Sequence, residues 1–434
     1  MKDLADINCL TIDYGKFTFV AEMMGQHVKR SYYHTPMERE FVDVNDCVKG
    51  DGLKTITRID EFMDRNFLDD LDLAIFPDIG FGSLQRFFRD RGIAVWGAMG
   101  ASDLELSRTK FLKVIKGLGL SMVHSEVIVG LTNLRLYLSD HPGVWVKINR
   151  YRAVAETWKH QDMEHGRYKL DSLAVRLGPM QDKVTFIVQD TIDSDVEIGY
   201  DGWCVGGKYP SKSFSGYELK NELYLGSVLD SSKLSEPVQI VNEAMAPLLR
   251  EYGYQNFIAT EIRVKGDEFY YIDPTHRMPG LTGDQLPETC ENLPEVIWQG
   301  ANGILIEPEF RCKFAAVATM HYKNHVPHEW FSLKIPDEVR QWFKLYHFCE
   351  ADGMYHFAPS VPFECDEPGT VIGIGDTIEE AIEHVKENFE SIDGEPVTVE
   401  MDGFGDLLKQ IQEAEENGIE FTTQKIPDPA SVVE

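Results

Sequence analysis

The chain has no GxxxxGK[ST] loop, no GxSxG elbow, no HExxH helix and no CxxC pair. These absences exclude a P-loop, a serine nucleophile in its usual turn and a zinc site of ordinary spacing. Its seven cysteines, at 9, 47, 204, 290, 312, 349 and 365, are scattered. An odd number cannot all pair within one chain, which fits a reducing compartment. No run approaches the roughly 20 apolar residues of a membrane span. The opening MKDLADINC lacks a basic region followed by an apolar core, so no secretory leader is expected. Basic charge is also scarce: 72 acids face 42 Lys and Arg, for a formal net charge of -30. That balance argues against general nucleic-acid or anionic-membrane binding. A soluble, cytoplasmic protein without internal repeats is the expectation. The 24 Phe and 17 Tyr can fill a large core or equally a subunit interface, which leaves a homo-oligomer open.

At 434 residues the chain is long enough for two to four subdomains. Its first part alternates strand and helix patterns. A strand is expected over 10–20 with a helix in AEMMGQHVKR, a strand over 71–77, a helix over 83–91 stopped by Gly92, and a strand over 93–96. Such alternation favours a parallel sheet covered by helices. One helix is expected over 103–118, with Leu104, Leu106, Phe111, Leu112 and Ile115 toward a core and Arg108 and Lys110 flanking it as solvated charges. Further strands are read over 122–129, 144–148, 186–189 and 314–320, with helices over 243–252 and 377–389, the latter capped by Thr377. GGKYP, from Gly206, reads as an ordinary turn. The acid-rich end, with Glu413, Glu415 and Glu416, is expected to be solvated and frayed.

The stretch richest in chemistry is FIATEIRVKGDEFYYIDPTHRMPG, residues 257–280. Two apolar runs flank Lys265-Gly266-Asp267, the signature of a hairpin turn. On neighbouring strands Glu261 and Asp273 fall opposite or nearly opposite each other, close enough to share a divalent ion. Beside apolar neighbours an unpaired carboxylate is costly, and a metal, Arg263 or Arg277 would remove that cost. Asp273-Pro274-Thr275-His276-Arg277 then supplies a hydroxyl, an imidazole and a guanidinium suited to an anionic substrate. Lys147, inside the apolar run 144–148, needs an acid or a ligand phosphate as partner.

The order of these parts resembles an ATP-grasp carboxylate-amine ligase, nearest the phosphoribosylglycinamide synthetase branch. GIAVWGAMGASDLELSRTKFLKVIKGLGLS, 92–121, resembles that branch's passage into the ATP-grasp core, and VIGIGDTIEEAIEHVKE, 371–387, its closing segment. The resemblance implies a mixed fold, α/β and α+β: an N-terminal parallel-sheet pre-ATP-grasp domain over 1–105, an ATP-grasp core over 106–305 and a mixed α/β region over 306–434. It also implies ATP and Mg2+ as cofactors. Lys110 and Lys147 match phosphate-contacting lysines. Gln189, Asp190 and Ile192 match the adenine linker, and Glu197 a ribose contact. Glu261 and Asp273 match the magnesium acids, with Thr275 at the position of a third ligand, usually asparagine. Arg277 matches an arginine near the transferred phosphate. Residues 149–160 stand where a glycine-rich phosphate cover is usual and contain no glycine, so either Arg150, Arg152 and Thr157 close over ATP or the chain has lost efficient ATP turnover.

The activity so implied is ATP-dependent activation of a carboxylate as an acylphosphate and its joining to an amine, with release of ADP and phosphate. Lys147 and Arg277 would stabilise transferred charge, and His276, whose ordinary pKa is near neutral, would receive the amine's proton. The competing readings are a nucleotide-binding scaffold that has lost catalysis, and a small-molecule kinase that needs no amine.

Overall fold

The computed structural model describes residues 1–36, 48–150, 157–192, 196–323, 329–359, 367–392 and 394–432. Strand β1 (Asn8–Ile12) is buried along its whole length, as a strand with both sheet faces covered must be. With β2 (Arg30–His34), β3 (Thr57–Arg58), β4 (Leu73–Ile75) and β5 (Ala94–Trp96) it forms a wholly parallel sheet in the order β3-β2-β1-β4-β5. One face packs Leu10, Ile12, Phe76 and Val95 with Phe88 of the helix Gly82–Asp90. The other packs Cys9, Leu73, Ile75 and Trp96 with Ile297 of the helix Leu293–Ala301. The strand order reverses between β1 and β4, where open α/β sheets hold ligands at the carboxyl ends of their strands.

The strand expected over 10–20 stops at Ile12. Asp13 is buried and accepts hydrogen bonds from the Phe17 backbone N–H at 2.6 Å and the Tyr33 hydroxyl at 2.5 Å, and the helix Thr18–Gly25 follows. Burial pushes the Asp13 carboxyl up to about 6 despite those donors. Apolar content alone does not mark this ending, because the helix continues the buried run.

The chain divides into two units, one of residues 1–102, 198–260 and 275–434 and the other of 103–197 and 261–274. Besides the parallel sheet, the first unit contains an antiparallel run of strands. From residues 255–260 it proceeds through Asp201–Val205, Lys212–Leu219, Leu223–Asp230, Phe314–Tyr322 and Gly369–Gly375 to Phe343–Leu345. The helix Ile378–Glu390 packs on this sheet and begins with a capping box between Thr377 and Glu380, as the Thr377 reading expected. GGKYP is a turn, with Gly206 and Gly207 at positive φ; a Cβ on Gly207 would lie 2.2 Å from the Ala246 carbonyl oxygen.

The acid-rich end is not frayed over 403–416. Gly403–Glu416 is a helix whose Phe404, Leu407, Leu408, Ile411 and Ala414 are buried, against the strands Lys212–Leu219 and Leu223–Asp230. Glu413 and Glu416 remain on its exposed side. Counting acids hid an apolar stripe at helical spacing.

Asp201, beside the Tyr224 hydroxyl at 3.0 Å, is buried in this unit, and burial pushes its carboxyl up to about 7. A folded-state pKa above the unfolded value of an acid means stability is greatest below the unfolded pKa and is lost as pH rises through the folded one. Asp201 should therefore cost the fold of order 3–4 kcal/mol between about pH 4 and pH 7. Asp201→Asn, compared with the parent by urea unfolding at pH 5 and pH 8, should be the more stable protein at pH 8 and lose less on passing between them; equal pH slopes would refute the assignment.

Candidate active site

The second unit carries a four-stranded antiparallel sheet in the order Ser125–Val129, Thr185–Gln189, Val144–Ile148, Thr157–His160. Alternation sends Val144, Val146, Ile148, Phe186 and Val188 into a core with Leu134, Leu138, Leu170 and Leu173 of the helices Leu131–Asp140 and Met163–Leu177. The other face receives Trp145 and Lys147, paired in register with Gln189 and Ile187. Lys147 is half-buried there, and Val127 and Trp145 on this face are exposed. An ammonium on a partly apolar sheet face is suited to a ligand with a flat apolar part and an anionic part.

Gln189 ends its strand and donates to the Ser125 hydroxyl at 2.9 Å. Asp190 is exposed, its backbone N–H donating to the His124 carbonyl at 3.2 Å. Ile192 is half-buried just beyond it. Glu197 makes an ion pair with Arg263 at 2.6 Å. Lys110 is paired with Asp103 at 3.0 Å. Arg150 is exposed in the turn after the Val144–Ile148 strand, Thr157 begins the next strand, and Arg152 lies outside the described residues.

The hairpin forms as its sequence requires, with strands Gln255–Lys265 and Glu268–Thr275 paired around Gly266 at φ 57°. Tyr271 marks the neighbourhood of the two acids. It is buried, and burial together with Asp273, Glu105 and Glu261 holds its phenol well above 10. Glu261 and Asp273 therefore both act electrostatically on one buried ring, whose hydroxyl has no hydrogen-bond partner among the described residues. The ring also packs edge-on against Phe111, centroids 5.0 Å apart.

The partner of Asp273 is Arg108, with Nη1 3.0 Å from Oδ2. The single helix expected over 103–118 is broken at Ser107, whose φ of -135° and ψ of 97° are extended. A short helix, Ser102–Leu106, precedes it and Arg108–Leu118 follows. Asn149 reinforces the restart: its carbonyl accepts from the Arg108 N–H at 3.3 Å and its side chain from the Thr109 N–H at 2.9 Å. Arg108 is thus buried rather than solvated. The missed signal was spacing: Arg108, Phe111 and Ile115 share one helical face, whereas Lys110 is off it.

Thr275, His276 and Arg277 belong to the first unit. His276 is fully buried, its ring 5.7 Å from Tyr254. The Arg277 guanidinium donates to the Met278 carbonyl at 3.1 Å and stands 4.0 Å from Asp78. Among the described residues, no group of three or more His, Cys, Asp and Glu side chains is placed to hold a metal ion. Two carboxylates are instead a partial set of hard oxygen donors. They suit Mg2+, which takes much of its shell from phosphate oxygens and water.

No known family and no curated protein matches the chain by sequence. Solved structures do match it in three dimensions. The phosphoribosylamine–glycine ligase of Thermotoga maritima is 15% identical, over 90% of this chain and 99% of its own, with a TM-score of 0.65. The biotin carboxylase domain of the Hydrogenobacter thermophilus 2-oxoglutarate carboxylase, solved with MgADP, ADP and bicarbonate, is 11% identical over 96% of each chain, TM-score 0.62. The fold is the ATP-grasp fold. An L-amino acid ligase of Bacillus licheniformis shares it at 14% identity and a TM-score of 0.59, over 91% of this chain and 99% of that one. The N-terminal parallel sheet and the mixed α/β class expected of an ATP-grasp protein are both present. No helix among the described residues is long and apolar enough to cross a membrane.

Proposed function

We propose that the protein is an ATP-dependent carboxylate-amine ligase, with the nucleotide held by the second unit. The carrying observation is that Glu261 and Asp273 stand on the two paired strands of one hairpin, with Arg108 fixing Asp273. Lys147 contacts phosphate from the sheet, and Lys110, Arg150 and Arg152 offset more of its charge. Gln189, Asp190 and Ile192 bind the base and Glu197 the ribose. Glu261 and Asp273 would hold Mg2+, which would screen the phosphates and polarise the transferred group.

The substrate carboxylate attacks the γ-phosphorus, the bond from the γ-phosphorus to the bridging oxygen breaks, and ADP leaves with that electron pair. The amine then attacks the acylphosphate carbonyl, phosphate departs, and nitrogen gives up a proton to water. The protein's part is positioning and charge stabilisation, without a covalent nucleophile. The five cysteines among the described residues are free and buried, which supports a reducing, cytoplasmic setting. The net charge of -30 supports small-molecule partners over nucleic acid.

The test is ADP release across paired mixtures of acids and amines. Release that requires both substrates and yields an amide is the expected result. Amine-independent ADP with a stable phosphorylated acid would replace the ligase by a kinase. Stoichiometric ATP binding without ADP in any mixture would replace it by a nucleotide-binding scaffold.

A further inference from the structure

The first unit also carries a small antiparallel sheet that holds none of the residues assigned to nucleotide or metal. Its strands are Phe331–Leu333, Met354–Phe357 and Phe348–Ala351, side by side in that order. Asp352 and Gly353, both at positive φ, join the last two as a two-residue hairpin turn. That turn sets Ala351 against Met354 and Cys349 against His356, while Ser332 lies against His356 from the other side. Residues directly opposite share a face, so a hydroxyl, an imidazole and a thiol form one row across the sheet. Phe331, Phe348 and Phe357 lie in the neighbouring row, on the opposite face, with Phe357 packed against the other two. Ser332 and His356 are half-buried.

The row has a direction. His356 Nε2 lies 3.1 Å from the Ala351 carbonyl oxygen, which can only accept. The neutral imidazole therefore carries its proton on Nε2 and leaves Nδ1 bare. The Ser332 hydroxyl stands 2.7 Å from that Nδ1 and donates to it. A nucleophile is thus within hydrogen-bond reach of a base that a third group orients. Cys349 is the poorer nucleophile of the row: its Sγ turns to the His356 carbonyl at 3.7 Å, and burial raises its pKa and so keeps it a thiol. Met354, on the same face as His356, is half-buried, and the exposed Trp330 directly precedes the strand of Ser332. Apolar side chains beside a polar pair suit an apolar or aromatic acyl group.

We infer that Ser332 is an acyl-accepting hydroxyl, activated by His356, that reacts with carboxylic esters of small apolar or aromatic acids. Ser332 Oγ attacks the ester carbonyl carbon as its proton passes to His356 Nδ1. The bond from that carbon to the alcohol oxygen breaks, and the oxygen leaves with the electron pair and takes the proton from Nδ1. Acyl-Ser332 and the free alcohol are the products. No residue of the ligase reading takes part, so the inference stands or falls apart from that reading.

The test exposes the full chain to p-nitrophenyl acetate and p-nitrophenyl benzoate. A burst of about one nitrophenolate per chain is expected, with a matching mass gain of one acyl group that maps to the peptide carrying Ser332. Ser332→Ala should abolish that adduct. His356→Gln keeps a donor for the Ala351 carbonyl but removes the base, and should slow acylation about 10²-fold or more. Urea unfolding checks that both variants are folded, and mapping on the parent chain keeps the test decisive if either is not. No adduct, an adduct on Cys349 or lysines alone, or undiminished labelling of Ser332 in His356→Gln overturns the inference and leaves the row a contact within the sheet.

Discussion

Asp273→Asn is expected to lower kcat for ADP formation by about 10²–10³-fold, the loss of several kcal/mol of charge stabilisation at the transferred phosphate. Asparagine is nearly isosteric and its carbonyl oxygen can still accept from Arg108 at the position of Oδ2, 3.0 Å away in the parent. The change therefore removes the negative charge and leaves the packing around Tyr271 in place. Glu261→Gln should act in the same direction, because both carboxylates stand on the paired strands of the hairpin. Two measurements belong together: steady-state ADP release, and calorimetric ATP binding with and without Mg2+. The metal role requires that the Mg2+-dependent part of ATP binding fall in both variants while urea unfolding shows both to be folded under the assay conditions. Near-parental turnover in Asp273→Asn would sink the assignment.

How much of this could be read from the chain differs by element, and the reason is physical. The hairpin 255–275 and the helix 378–390 were legible because their signals are local: Gly266 at a two-residue turn, and Thr377 with Glu380 around a helix start. The parallel sheet was legible from alternating elements, but the end of β1 was not. Asp13 stops it through a bond to Tyr33, 20 residues away, and no local pattern announces such a partner. The helix Gly403–Glu416 was obscured because acids outnumber its apolar stripe, although the stripe's period was present. In the candidate site Glu261 and Asp273 stood out as acids in apolar runs. Their setting did not, since Tyr271 reads as one more strand aromatic and Glu105 as one more surface acid.

Arg108 carries the sharpest structural expectation. Its side chain is 8% exposed and that of its partner Asp273 is 22% exposed, so Arg108→Met strands a carboxylate that water reaches only partly. Breaking a buried pair on one side costs about 3–5 kcal/mol, and the residual exposure of Asp273 places the cost near the lower end, about 3 kcal/mol. Arg108→Lys should recover only part of it, because an ammonium on a flexible stem cannot reproduce the planar guanidinium contact. Adding Asp273→Asn to Arg108→Met should restore much of the loss, since the stranded charge is then gone; a coupling of about 1–3 kcal/mol is the scale for such neighbours. Hydrogen exchange in the Arg108–Leu118 helix and the 261–274 hairpin measures the effect where it arises, within the second unit. If Arg108→Met alone and the double variant lose equal stability, Arg108 acts through its packing beside Phe111 and Ile115, and the fixing of Asp273 must be sought in another group.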